Sequence, residues 1–299
     1  MGSRNLKTNV TEGYQQDIEF GSWTRKWGLK SFSKLLELLR EKVSGKKICV
    51  LISGGMDSAV ATKVLQLSGA DVRGLHITHR WVWFTPKIEI KRISKMLGIK
   101  VDIVDITDEL KRKLRGAKGR SVCKICKKIM LEVAVSRASV VATGECGVDT
   151  IAGAILDVSR RTGIEPEFVQ LPKRYFDGDD RIIVRPLIRI HESDVNRLAT
   201  LLGVRVRRVG ETGDLRRGRR EGCPLQHLDP WVDVTDELMD EVRDVNVEAL
   251  TVARRLGRRV SVKWPSFRII LEGSPEERRH VAECVWYSWV RAGRPRRYK

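Results

Sequence analysis

The stretch Cys49-Val50-Leu51-Ile52-Ser53-Gly54-Gly55-Met56-Asp57-Ser58-Ala59-Val60 decides the fold. Residues 48–52 are an apolar run rich in β-branched side chains, bounded by Gly54-Gly55. That pattern predicts a short buried strand followed by a tight turn. Adjacent glycines let the backbone take positive φ and bring its N–H groups close to a ligand. Asp57 and Ser58 stand where a helix would be capped, and residues 59–67 carry a helical pattern onward. Strand, amide-lined turn and helix N-terminus together make an anion site suited to phosphate. Taken alone, Gly-Gly-x-Asp-Ser is equally compatible with a capped turn that binds nothing.

Outward from this stretch, strand and helix patterns alternate. Residues 29–43 read as an amphipathic helix with Leu35, Leu36, Leu38 and Leu39, and Gly45 ends it. Strands are predicted at 72–78, 101–106 and 140–142, with strand-like runs at 168–171, 182–184 and 204–209. Helices are predicted between them at 86–97, 123–136, 149–160 and 191–202. Trp81 and Trp83 lie in an aromatic loop, for which packing is the expected role. The alternation predicts an α/β fold, a parallel sheet flanked by helices, with ligands beyond the carboxyl ends of the strands. Ser53 to Ser58, His79 and Gly144-Glu145 fall there. After Trp231 the pattern changes to a helix at 233–256, a hairpin at 260–271 and a helix at 275–290, a small α+β appendage. The expected domains are an N-terminal arm and helix (1–45), a catalytic domain (46–229) and a basic α+β domain (230–299).

The six residues Ser53-Gly54-Gly55-Met56-Asp57-Ser58 after a hydrophobic strand resemble the signature of the PP-loop ATP pyrophosphatases. They are not a Walker loop, because no Gly-Lys-Ser/Thr follows at the required spacing. The resemblance implies cleavage of ATP to AMP and pyrophosphate, with adenylation of a carbonyl oxygen. It implies ATP contacts from Ser53, Gly54, Gly55, Met56, Asp57 and Ser58, from Thr78, and from Gly144, Glu145 and Asp149. Asp57 would help organise Mg2+ and pyrophosphate, its alternative being an N-cap. Arg185 could touch phosphate or anchor the acceptor, its alternative being a surface ion pair.

Six cysteines are present: Cys49, Cys123, Cys126, Cys146, Cys223 and Cys284. In a reducing compartment they are expected as ligands or reactive thiols rather than disulfides. Cys123-Lys-Ile-Cys126-Lys127-Lys128 begins a helix, where the dipole and the lysines are expected to depress the thiol pKa values. The pair with distant Cys223, Ala142-Thr143-Gly144-Glu145 and Val184-Arg185-Pro186-Leu187-Ile188 is similar to the catalytic domain of 4-thiouridine synthases. That branch implies a 4Fe–4S cluster on Cys123, Cys126 and Cys223, with an iron that carries sulfide. Asp57, Cys123, Cys126 and Cys223 would then be the catalytic residues. Zn2+ on the same cysteines with a histidine such as His227 is the alternative metal. Cys146 is a second candidate for third ligand or a persulfide carrier. Cys49 and Cys284 read as buried packing residues.

The net charge is +19, from 57 Lys+Arg against 38 Asp+Glu. A surface this basic favours a polyanion, and RNA is the expected partner. Arg216, Arg217, Arg219 and Arg220, and a tail with Arg291, Arg294, Arg296, Arg297 and Lys299, are the candidate footprint. No run of eighteen apolar residues exists and the polar N-terminus has no apolar leader core, so a cytoplasmic protein without membrane contact is expected. The reading is an ATP-dependent sulfurtransferase acting on tRNA, supplied by a sulfide or persulfide donor, with a homodimer left open. Sulfur insertion into a small nucleotide cofactor, amide ligation and a zinc-stabilised RNA-binding protein are the alternatives.

Overall fold

The computed structural model describes residues 17–82, 85–163, 169–170, 181–206, 223–256, 260–271 and 273–291. Expectations placed on Trp83, on the arginines at 216–220 and on the basic tail beyond Arg291 lie outside these residues.

Ser31 caps the first long helix, its Oγ accepting from the Lys34 N–H at 3.4 Å. That helix, α2 (Phe32–Val43), follows the one-turn α1 (Ser22–Arg25) and buries Phe32, Leu35, Leu36, Leu39 and Val43 along one face. Each such side chain contributes roughly 1.5–3 kcal/mol when fully buried. β1 (Lys47–Leu51) then enters the core through Ile48, Cys49 and Val50. α3 (Met56–Leu67) starts immediately after Gly55 and is buried at Ser58, Ala59, Val60, Ala61, Thr62, Val64 and Leu65, which explains its small side chains.

The chain continues through β2 (Asp71–Thr78), α4 (Thr85–Leu97), β3 (Val101–Asp105), α5 (Thr107–Leu114), α6 (Val122–Arg137) and β4 (Val140–Ala142). α7 (Thr150–Thr162), β5 (Val169–Gln170), β6 (Ile182–Val184) and α8 (Glu192–Leu201) complete the sheet region. The strand order is β3-β2-β1-β4-β6-β5. β1 pairs in parallel with β2 and β4, and β4 with β6, as the alternation of strands and helices requires. β5 departs from the expected all-parallel sheet, since Val169 and Gln170 pair antiparallel with β6 at the edge. Residues 204–206 are not a strand, against the sequence expectation. The order reverses between β1 and β4, which makes the crevice at their carboxyl ends the switch point where α/β sheets bind ligands.

By contact density the chain divides into two compact units, Met1–Leu75 with Arg92–Val101 and Val135–Val206, and His76–Lys91 with Asp102–Ala134 and Arg207–Lys299. In the first, Asp194 near the start of α8 is buried and gathers the segment ahead of α2. Its carboxylate accepts from the Gly21 N–H at 3.1 Å, from Thr24 Oγ1 at 2.5 Å and from Arg197 at 3.0 Å. His191 caps the same helix, its Nδ1 accepting from the Ser193 N–H at 3.2 Å. In the second unit, α9 (Asp236–Arg255) packs on the antiparallel hairpin β7 (Val260–Lys263) and β8 (Arg268–Leu271) and on α10 (Pro275–Arg291). Trp264 joins them: its ring centroid lies 4.5 Å from that of Trp289, and its N–H donates to Glu241 at 2.9 Å. Asn246 binds both backbone groups of Val262, at 2.9 and 3.0 Å. These contacts make the predicted α+β pattern a packed core.

Asp194→Ala leaves a buried hydroxyl and amide without their acceptor and is expected to cost about 3 kcal/mol. A urea denaturation midpoint measures the loss, and limited proteolysis should cut first between residues 17 and 31.

Candidate nucleotide and sulfur sites

The loop after β1 is held from within by Ser58. Its Oγ donates to the Gly55 carbonyl at 2.9 Å, accepts from the Ser53 N–H at 3.3 Å and lies 3.2 Å from Ser53 Oγ. Gly54 has φ +79, the left-handed conformation that a side chain would strain. The cap residue of α3 is Gly55, with no side-chain cap, so neither Asp57 nor Ser58 serves as N-cap. Asp57 sits instead in the first helical turn, half-buried, with its carboxylate beside the helix N-terminus.

β4 delivers the other wall of the crevice. A Cβ on Gly144 would lie 2.5 Å from the Ser58 nitrogen and 2.8 Å from the Asp57 carbonyl carbon, so only glycine lets this loop rest on the start of α3. Glu145 turns inward. Its Oε2 accepts from Arg185 Nε at 2.7 Å and from Thr143 Oγ1 at 3.0 Å, with both charged side chains buried. The expected surface pairing of Arg185 is therefore corrected to a buried one. Asp149 accepts from the Cys146 N–H at 2.8 Å and caps the start of α7 by position. Cys146 is buried, and burial pushes its thiol to about 12 while Asp149, Asp57 and Glu192 push the same way. The loop, Gly144, Glu145, Asp149 and Cys146 thus belong to one unit. Thr78, at the end of β2, is buried, and its hydroxyl has no hydrogen-bond partner among the described residues.

The second unit carries the sulfurs. Cys123 and Cys126 lie in the first turns of α6, and Cys223 precedes the turn Pro224–His227. Cys126 and Cys123 both push the Cys223 thiol up, by less than its burial does. Burial is the main cause of the shifts, lifting Cys126 to about 11 and Cys223 to about 12, while Cys123 rises against the pull of Lys263. The expectation of depressed thiols is overturned: desolvation exceeds the helix dipole and the lysines. Cys49 is buried as expected, whereas Cys284 is half-buried and lies 3.8 Å from His280.

A histidine beside Cys223 is His79. His79 Nε2 lies 3.7 Å from Cys223 Sγ, while His227 Nδ1 is engaged by Ser261 Oγ at 2.8 Å. Burial lowers His79 from 6.5 to about 4, although Asp105 pulls it up. Its separation of 144 residues from Cys223 kept it out of reach of any spacing rule. Trp81 packs as expected, fully buried with its N–H donating to Asp240 at 2.7 Å. Among the described residues no three His, Cys, Asp or Glu side chains are grouped as a metal site. Thiol and imidazole are the donor types that zinc and iron–sulfur clusters take.

Comparison with known proteins agrees with the geometry. Residues 46–118 match the family model described as the tRNA methyl transferase HUP domain. The chain is 32% identical over 281 residues to the uncharacterized protein MJ1016 of Methanocaldococcus jannaschii, covering 87% of this chain and 95% of that one. It is 32% identical over 139 residues to a 7-cyano-7-deazaguanine synthase of Xylella fastidiosa, covering 42% of this chain and 58% of that one. It is 30% identical over 95 residues to a tRNA-specific 2-thiouridylase of Campylobacter concisus, covering 28% of each chain. Fold and loop define a nucleotide-binding protein of the HUP type. The chain belongs to the PP-loop superfamily and, within it, to the family of the Methanocaldococcus protein.

Gly144→Ala must displace backbone at the start of α3, so ATP affinity is expected to fall about tenfold or more, read by equilibrium dialysis. A second test concerns His79 in metal-free protein. Below pH 6.5 the unfolded chain takes up a proton that the folded chain refuses until about pH 4. Its contribution to stability is therefore complete above pH 6.5 and is lost as the pH falls through that window, by on the order of 3 kcal/mol. Urea titrations at pH 7, 5 and 4 should show the loss, and His79→Gln should reduce it.

Proposed function

We propose that this protein is an ATP-dependent sulfurtransferase that thiolates a base of tRNA, with residues 46–229 as its catalytic domain. The observation that carries the reading is the complete loop at the switch point: Gly54 at positive φ, Ser58 closing the turn, and Gly144 against the first turn of α3. The amides of the turn and of the helix N-terminus bind and orient the ATP phosphates, and Asp57 would hold Mg2+ on them. A base carbonyl oxygen attacks the α-phosphorus, pyrophosphate leaves, and the base becomes adenylated. A sulfur nucleophile then bonds to the activated carbon while AMP departs with the original oxygen.

Cys123, Cys126 and Cys223, all carried by the second unit, favour sulfur over ammonia as that nucleophile. These three thiols would hold the 4Fe–4S cluster, which supplies a site that retains sulfide from the donor. The thiols are protonated in the metal-free chain, so loading the site must release protons. The relative named a tRNA-specific 2-thiouridylase and the net charge of +19 support tRNA as acceptor. The relative's name suits action in the cytoplasm; among the described residues no helix is long and apolar enough to cross a membrane.

The test uses anaerobically purified protein with ATP and bulk tRNA. AMP, pyrophosphate and thionucleosides are measured together by chromatography and mass spectrometry. Asp57→Asn is expected to lower AMP release about a hundredfold. Unchanged release would overturn the ATP site, and AMP without any thionucleoside would overturn sulfur transfer.

A further inference from the structure

Residues 111–128 contain nine lysines and arginines and no acidic residue. Nearby carboxylates engage some of them: Asp236 takes Lys111 and Arg115, Glu109 takes Arg112, Asp233 takes Lys118 and Glu132 takes Lys128. These four carboxylates engage five of the nine cations, all carried by the second unit. In the same unit stands Trp231, 70% exposed, with the Arg120 guanidinium 4.5 Å from its ring centroid. A tryptophan so exposed removes little apolar area from water and contributes little to the core.

The pair is nonetheless held firmly in place. Gly116 and Val234 are linked through the Gly116 N–H to the Val234 carbonyl at 3.0 Å, and the Val234 N–H donates to Ala117 at 2.8 Å. The Gly119 N–H donates to Val232 at 2.9 Å and the Arg120 N–H to Pro230 at 3.0 Å. A Cβ on Gly119 would collide with the Asp229 carbonyl, so the two segments touch backbone to backbone. Arg120 precedes Cys123 by three residues, and α6 begins between them, so the aromatic face and the cysteine pair sit on the same continuous support.

We infer that Trp231 and Arg120 form a stacking platform for an unpaired RNA base, beside the cysteines that would deliver sulfur. An indole face stacks on any base, a guanidinium adds a cation–π contact, and the surrounding cations bind the flanking phosphates. A duplex hides its base faces, so the platform takes a loop or an extruded nucleotide. A protein partner would call for apolar neighbours around the tryptophan, and here the neighbours are charged. The inference rests on the RNA reading above and names the part of the RNA that the second unit receives.

The test measures binding of a fluorescein-labelled single-stranded RNA, the same strand with abasic sites, and a duplex, by anisotropy at two salt concentrations. The wild-type protein should prefer the base-bearing single strand. Trp231→Ala should weaken that complex about tenfold, leave the abasic strand and the salt slope unchanged, and be largely restored by Trp231→Phe. Matching thermal unfolding of these variants excludes a folding effect. Equal affinity for base-bearing and abasic strands, or no loss in Trp231→Ala, would overturn the platform. RNA-dependent AMP release by wild-type protein is scored separately: its absence would overturn the thiolation reading while the stacking result stands on its own.

Discussion

The approach of Gly144 to the backbone of Ser58 and Asp57 is the constraint on which the rest of the site depends. It joins the loop after β4 to the first turn of α3 at a distance that no side chain would permit. Because β1 and β4 are neighbours in the sheet, this contact closes the crevice at the point where the strand order reverses. The turn after β1 is then framed on one side by its own serine hydroxyls and on the other by bare backbone. Small residues through α3 serve the same end, since a helix buried at Ala59, Val60, Ala61 and Thr62 can lie close to the sheet.

Charge is distributed by burial rather than by sequence neighbourhood. Glu145 and Arg185 form a buried pair that fixes the loop after β4, a role that neither residue type announces. Cys126 and Cys223 stay protonated because their surroundings desolvate them, despite three lysines close to the pair in sequence. His79 is held neutral by the same cause.

The second unit has a core of its own. Its core is built by Trp264, Trp289 and Asn246, whose contacts join α9, α10 and the hairpin. That core leaves Trp231 outside it, on a backbone-paired segment among cations. Among the described aromatic residues of this unit, Trp264 and Trp289 are buried, whereas Trp231, Trp286 and Tyr287 are exposed.

The sequence by itself determined the order of most strands and helices, the glycine turn after β1 and the Cys-x-x-Cys spacing of Cys123 and Cys126. These are local: hydrophobic period, glycine punctuation and short spacings act over a few residues, so they can be read along the chain. The antiparallel edge strand β5 escaped because two residues carry no directional signal. Only the tertiary structure decided that Gly55 rather than Asp57 starts α3, that Glu145 answers Arg185, and that His79 stands beside Cys223. It also reversed the expected thiol shifts, because desolvation depends on everything packed around a sulfur and not on the residues beside it in the chain.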